Sequence, residues 1–246
     1  MNNAGEARRL IEISSREGGE INAWVKDDFH HFVLNIHHDG TRIRDVSSSS
    51  PRHPYSTCPS AGEQLQSLIG APFTERATDI GKWLNMRLQC THLFDLAGLC
   101  LAHLALKRSS RRYETLVSDR EVLGTTKEGK RSLGDGHAKL MMDGEQVLYW
   151  ALSGTSITGP NEWSGQTLGS GFRERTESMD IDTAEFATVL RRAILVAGGR
   201  SGLNNLAKLP RESWRPAVCH TFQPAQRAIA IPISPKLRNW QDAEQE

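Results

Sequence analysis

The chain has 246 residues, of which 38% are hydrophobic and 24% charged, a composition typical of a folded globular protein rather than a disordered one. Lys and Arg number 30 against 29 Asp and Glu, so the formal net charge is only +1. Non-specific nucleic-acid binding depends on an excess of positive charge, so we expect no nucleic-acid partner. No apolar run approaches the ~20 residues of a membrane-spanning helix, and no secretory signal or disulfide framework is evident. We therefore expect a cytoplasmic protein without a membrane partner.

Alternation of apolar and polar residues predicts an antiparallel meander early in the chain. Strands are expected over residues 20–26, 31–37 and 41–48, with a tight turn at Asp39-Gly40. A polar loop rich in Ser and Pro follows. Ser60 and Glu63 then stand at capping-box spacing, which predicts a helix that ends at Gly70.

Apolar residues at helical spacing predict a long helix from Cys90 or Thr91 to about Lys107, after a shorter helix that begins at Thr78. Four leucines of the long helix are expected to face the core. They are Leu93, Leu96, Leu101 and Leu104.

The second half of the chain repeats the order of strands followed by a helix. Residues 113–118, 136–142 and 146–153 are predicted strands, and a helix capped by Asp182 ends at Gly198. The predicted fold is therefore α+β, an antiparallel sheet or sheets with helices packed on one face. It is arranged as two β-then-α halves, residues 1–110 and 111–246, which could share one sheet.

Cys90 and His92 stand two residues apart at the start of the long helix. The free N–H groups and the dipole at a helix N-terminus favour a thiolate, so the pair suits a metal site or an activated nucleophile. Cys58 also directly precedes a helix. We therefore expect Cys58 and Cys90 to lie close together, at the same end of the meander.

Three motifs follow one another in the first half: Pro-Tyr-x-x-Cys ending at Cys58, Leu-x-x-Leu-Ile-Gly over residues 65–70, and Cys-Thr-His-Leu over residues 90–93. With these motifs, residues 31–106 resemble a widespread bacterial domain family of unknown function. A fainter resemblance is to iron–sulfur cluster assembly scaffolds, which also place cysteines at two helix starts. Those scaffolds carry Cys-Gly-Asp in the first hairpin, where this chain has Lys-Asp-Asp over residues 26–28. The scaffold resemblance implies a zinc or iron–sulfur site with these ligands: Asp28, Cys58, Cys90 and His92.

The remaining histidines are assigned simpler roles. On a strand, neighbouring side chains point to opposite faces, so the adjacent pairs His30/His31 and His37/His38 are interpreted as surface or hairpin residues. Cys219 and His220 form a second Cys-His pair, interpreted as a strand cysteine beside a polar histidine.

The leading functional hypothesis is a cofactor-independent lyase, of the retro-aldol or dehydration type, in bacterial catabolism of an aromatic or apolar small molecule. Such a step needs only a positioned base and an acid or oxyanion donor. His92 would be the base, and Tyr55 or Arg44 would stabilise developing charge, with Cys58 and Cys90 completing the catalytic set.

Two alternatives come from other classes of protein. One is a metal- or iron–sulfur-binding scaffold or accessory protein, and the other is a non-catalytic interaction module. The sequence leaves a homo-oligomer open.

Overall fold

The computed structural model describes residues 5–127, 131–202, 208–212, 218–233 and 236–240. Within these residues, eight strands form one antiparallel sheet in the order β10-β9-β8-β5-β1-β2-β3-β4, and β6 and β7 pair separately. The strands are β1 (Glu6–Arg16), β2 (Glu20–Asp27), β3 (His31–His38), β4 (Ile43–Arg52), β5 (Ser110–Ser118), β6 (Val122–Thr125), β7 (Arg131–Leu133), β8 (Asp135–Met142), β9 (Glu145–Ser153) and β10 (Ser156–Gly159). The expected α+β class is confirmed.

The helices are of mixed type. The α-helices are α1 (Thr91–Ala105), α2 (Phe172–Glu177) and α3 (Ile181–Ala197). Two 3-10 helices lie before α1 in the chain, η1 (Pro59–Leu68) and η2 (Ala77–Lys82). A less regular C-terminal part follows α3. That part contains short 3-10 turns at Arg200–Gly202, Pro210–Glu212 and His220–Phe222 and a helix at Pro224–Ile229. Among the described residues, every helix is too short or too polar to cross a membrane.

The chain divides into two compact units, and neither is a continuous half. One unit is built from Ile11–Arg112 and Asn204–Lys236, and the other from Met1–Leu10, Tyr113–Leu203 and Leu237–Glu246. One break between the units follows Arg112.

In the unit built on Ile11–Arg112, α1 packs on β2 and β3. The register pairs Val25 with Phe32 and Ala23 with Leu34, and these side chains are fully buried on one face. A Cβ atom at Gly98 would lie 2.3 Å from the Ala77 carbonyl oxygen, so only glycine lets α1 lie this close to η2. These contacts fix where the first turn of α1 meets the hairpin of β2 and β3.

The expected core face of α1 is largely confirmed. Leu93, Leu96 and Leu101 are buried, whereas Leu104, in the last turn, is half-buried. The N-terminal and central turns of α1 are therefore more deeply buried than its last turn.

In the unit that contains Tyr113–Leu203, α3 contacts β8 and β9. Trp150 is fully buried and packs 4.9 Å from Trp163 between ring centroids, and Trp163 stacks on Phe172. These aromatic residues form core in this unit.

Three local predictions were wrong. β1 was not foreseen, although Leu10, Ile11 and Ile13 are buried on it. Residues 59–68 form a 3-10 helix without a side-chain cap, because the Ser60 hydroxyl bonds the Thr57 carbonyl oxygen instead. The cap of α3 is Asp180, which accepts from the Thr183 N–H, rather than Asp182.

Leu96→Ala should lower the free energy of unfolding by about 2–5 kcal/mol, because it leaves a cavity between α1 and the sheet. Ile69→Ala is the matched control, since Ile69 is 47% exposed and its truncation should cost under about 0.5 kcal/mol. Urea titration of both variants checks this. Equal losses in the two variants would contradict the packing described for α1.

Candidate functional site

The turn between β2 and β3 holds two titratable side chains on one face. β2 ends at Asp27 and β3 begins at His31, and the Asp27 N–H donates to the His30 carbonyl oxygen at 2.9 Å. Asp27 and His30 therefore close the hairpin as a cross-strand pair, and such pairs project from the same face of a sheet. Their face is the one that Phe32, two residues after His30, presents to α1.

Asp27 is held by the backbone of its own turn. Its Oδ1 accepts hydrogen bonds from the N–H groups of Phe29 and His30, both at 2.9 Å, and lies 2.8 Å from His30 Nδ1. This is the side-chain-to-backbone bonding by which aspartate stabilises tight turns. One carboxylate oxygen is thus fully engaged in fixing the turn.

The second oxygen of Asp27 meets α1. Oδ2 lies 3.0 Å from Nε2 of His92, in the first turn of that helix. The His92 ring also lies against the hairpin, with centroid distances of 3.9 Å to His30 and 5.5 Å to Phe32. One carboxylate therefore joins imidazoles from a hairpin and a helix.

The charge on Asp27 is stabilised despite its burial. Burial by itself raises the pKa of Asp27, but the charge and hydrogen bond of His30 and the hydrogen bond and charge of His92 outweigh it. The pKa of Asp27 consequently lies well below its usual value. Asp27 is an ionised acceptor near neutral pH.

Asp27, His30 and His92 together form a group that could hold a metal ion. Their candidate ligand atoms all lie within 4.8 Å of one another. Asp27 and His92 are buried, and the side chain of His30 is 15% exposed. Of the four ligands predicted from the sequence, His92 alone belongs to this group.

Cys90 stands beside the group rather than in it. Its Sγ lies 3.8 Å from Nδ1 of His92, the ring nitrogen that faces away from Asp27. Burial raises the pKa of the Cys90 thiol, and the nearby Cys58 and Cys219 raise it further. The N–H groups of His92 and Leu93 lower it, as expected at a helix start, but they do not outweigh burial.

Cys58 is the first of the two cysteines that raise the pKa of the Cys90 thiol. The Cys58 Sγ is 3.4 Å from the Thr221 hydroxyl, and burial raises its pKa. Both thiols are therefore protonated near neutral pH. This disfavours the thiolate nucleophile that the helix starts alone suggested.

Arg44 is separated from His92. It bonds Asp39 in the turn after β3, with its Nε 2.7 Å from Oδ2, and its side chain is 58% exposed. The group around His92 lies at the opposite end of β3, seven residues or roughly 20 Å away. Arg44 cannot stabilise charge developing at His92, and that assignment is wrong.

Tyr55 and Asp28 are both buried. The Tyr55 ring meets Phe222 edge-on at 5.8 Å, and its carbonyl oxygen accepts from the Cys58 N–H. Tyr55 therefore lies beside Cys58. Asp28 is in the hairpin turn but is not among the group formed by its neighbour Asp27.

The sequence interpretation missed Asp27 and His30. It grouped His30 with His31 as surface or hairpin residues, whereas the chain turns between Asp27 and His30 and directs the His30 ring to Asp27. The Asp-x-x-His spacing between two strands was the available signal, since it is the spacing of a closing pair around a two-residue turn.

Comparison with known proteins finds a family match over part of the chain and no activity. Residues 13–105 match the model of a family described as a protein of unknown function (DUF2889). The matched range contains all the side chains of the Asp27–His30–His92 group and both Cys58 and Cys90. No curated protein matches the chain.

Asp27→Asn should lower the free energy of unfolding by about 1–3 kcal/mol at pH 7, since it leaves buried donors poorly paired. The folded-state pKa lies below the unfolded one, so this stability is present above about pH 4 and is lost as the pH falls through the folded-state value. The variant should therefore lose less stability than wild type on acidification below pH 4. Urea midpoints across this range, in the presence of a chelator, measure the effect.

Asp45→Asn, at an exposed position on β4, is the control and should retain the wild-type acid dependence. Identical acid dependence in wild type and Asp27→Asn would contradict an ionised, hydrogen-bonded Asp27.

Proposed function

We propose that this protein binds one divalent transition-metal ion, zinc in the first instance, through Asp27, His30 and His92. The observation that supports this is the convergence of one carboxylate and two imidazoles from separate elements within 4.8 Å on a buried face. Polar groups of this kind are costly to bury together unless they bind one another or a common ion.

The donor set matches the chemistry of such ions. Two histidines and one carboxylate are the three protein ligands of many catalytic zinc sites, which keep a fourth position for water or substrate. The same set also suits non-haem Fe(II). A bound ion would supply Lewis acidity at that open position.

The surroundings provide the second layer of contacts that metal ligands need. Oδ1 of Asp27 is held by the turn N–H groups, so Oδ2, which lies 3.0 Å from Nε2 of His92, is the oxygen that would bind an ion in place of that contact. His92 would bind through Nε2, while Nδ1 faces the Cys90 sulfur at 3.8 Å. Such contacts fix the orientation and tautomer of a ligating imidazole.

A metal-free lyase is the second candidate, supported by the Asp27–His92 pair at 3.0 Å. The ionised carboxylate accepts from Nε2–H, so a neutral His92 ring presents Nδ1 as its basic nitrogen. In this candidate, His92 removes a proton from an aromatic or apolar small molecule, and the buried Phe29 and Phe32 hold the imidazoles through ring contacts. The free thiols of the four cysteines are compatible with the reducing cytoplasm proposed for the protein.

Metal analysis of the purified protein tests the first candidate. Wild type, prepared without chelators and loaded with zinc, should retain about one ion per chain after desalting. His92→Ala and His30→Ala should lose the ion, because each removes one of three ligands. Cys90→Ala should keep it with an affinity lower by about 10–100-fold, as for other contacts behind a ligand.

His37→Ala is the matched control, since this residue lies exposed on the same strand as the hairpin turn and should leave the metal content unchanged. A zinc-loaded wild type that retains no ion, although folded, would contradict the proposal. Turnover of hydroxylated aryl substrates that persists with a chelator and disappears in His92→Ala would favour the lyase instead.

A further inference from the structure

A second polar group lies where η1 meets the turn His220–Phe222. The Ser60 hydroxyl, in the first turn of η1, lies 2.8 Å from Nε2 of His220. Nδ1 of His220 lies 3.1 Å from the Leu88 carbonyl oxygen, and the His220 N–H donates to the Gln89 carbonyl oxygen at 3.0 Å. The imidazole is therefore fixed at both ring nitrogens and at its backbone.

The partners of His220 determine its tautomer. A carbonyl oxygen can only accept, so Nδ1 carries a proton. In the neutral ring, Nε2 is then an acceptor that faces the Ser60 hydroxyl. The Ser60 oxygen is also 2.9 Å from the Thr57 carbonyl oxygen, so two acceptors compete for its one proton. This is the order of nucleophile, base and orienting group found in serine-dependent acyl transfer, with a backbone carbonyl in the orienting position.

The surroundings also contain a donor that lacks an acceptor. Gln89 is fully buried, and its Oε1 accepts from the Cys90 N–H at 2.7 Å. Its Nε2 has no hydrogen-bond partner among the described residues. A buried donor without an acceptor costs free energy, and a ligand oxygen would remove that cost. Ser60 itself is half-buried rather than enclosed in the core.

We propose that Ser60 is a nucleophile activated by His220, and that this second site hydrolyses small carboxylic esters. The Ser60 oxygen bonds the ester carbonyl carbon while Nε2 of His220 takes its proton, and that proton leaves with the alcohol as the carbon–oxygen bond breaks. Water then attacks the acyl group, giving a proton to His220, and the acid departs as Ser60 regains that proton. An amide such as that of Gln89 is the kind of donor that stabilises the oxyanion of both steps.

A fluorophosphonate probe tests the proposal on the full-length protein. The serine oxygen displaces fluoride from phosphorus, so peptide mass spectrometry locates the adduct directly in wild type. Labelling should occur at Ser60 and be absent in Ser60→Ala. His220→Gln retains hydrogen-bonding groups but cannot act as base, so labelling and p-nitrophenyl acetate hydrolysis should slow by about 10²–10⁴-fold.

Ser67→Ala is the matched control, because Ser67 lies on the same helix and bonds the carbonyl oxygens of Gln64 and Trp83 instead. It should label and hydrolyse at the wild-type rate. A folded wild type without an adduct at Ser60 would overturn the proposal, and so would His220→Gln labelling at the wild-type rate. Because the adduct is located in wild type, a failure of Ser60→Ala to fold would not affect this test.

Discussion

The candidate site depends on one buried charge, the carboxylate of Asp27. An ionised carboxylate is stable inside a protein only when donors surround it. Here the donors come from two sources: the turn backbone with His30, and His92 at the start of α1. The requirement to pair this charge therefore ties the hairpin of β2 and β3 to the helix that covers it.

The ligand atoms of Asp27, His30 and His92 can share either hydrogen-bonding protons or a metal ion. Without metal, N–H groups of the two imidazoles bond the carboxylate oxygens at 2.8 and 3.0 Å. An ion would replace those protons and would lie about 2.0–2.2 Å from each ligand atom. Metal binding would thus release protons and weaken at low pH.

Sequence periodicity predicted the elements that carry strong local patterns. The strand beginning at His31 alternates buried and exposed side chains, and α1 repeats leucines at helical spacing, so both were identified. β1 was not predicted, because Arg9, Leu10 and Ile11 are buried in succession and interrupt the alternation of buried and exposed residues. The Ser60 hydroxyl does not cap η1, because it contacts the Thr57 carbonyl oxygen and His220, and the contact with His220 leaves no signal in the local sequence.

The site was predicted in part for a similar reason. His92 was identified from its place at a helix start, but its partners were assigned by analogy with scaffolds that use cysteine. Asp27 lies one residue from the predicted ligand Asp28, and the turn geometry decides which carboxylate faces α1. Burial, which sequence spacing does not report, raises the pKa of both Cys58 and Cys90 and removes the expected advantage of the helix starts.

X-ray absorption at the metal edge of zinc-loaded protein tests the central claim most directly, because nitrogen, oxygen and sulfur ligands differ in distance. A site formed by Asp27, His30 and His92 should show nitrogen and oxygen ligands at about 2.0–2.2 Å, with imidazole scattering and without sulfur. A sulfur shell at about 2.3 Å would place the ion on Cys58 or Cys90 and contradict the account.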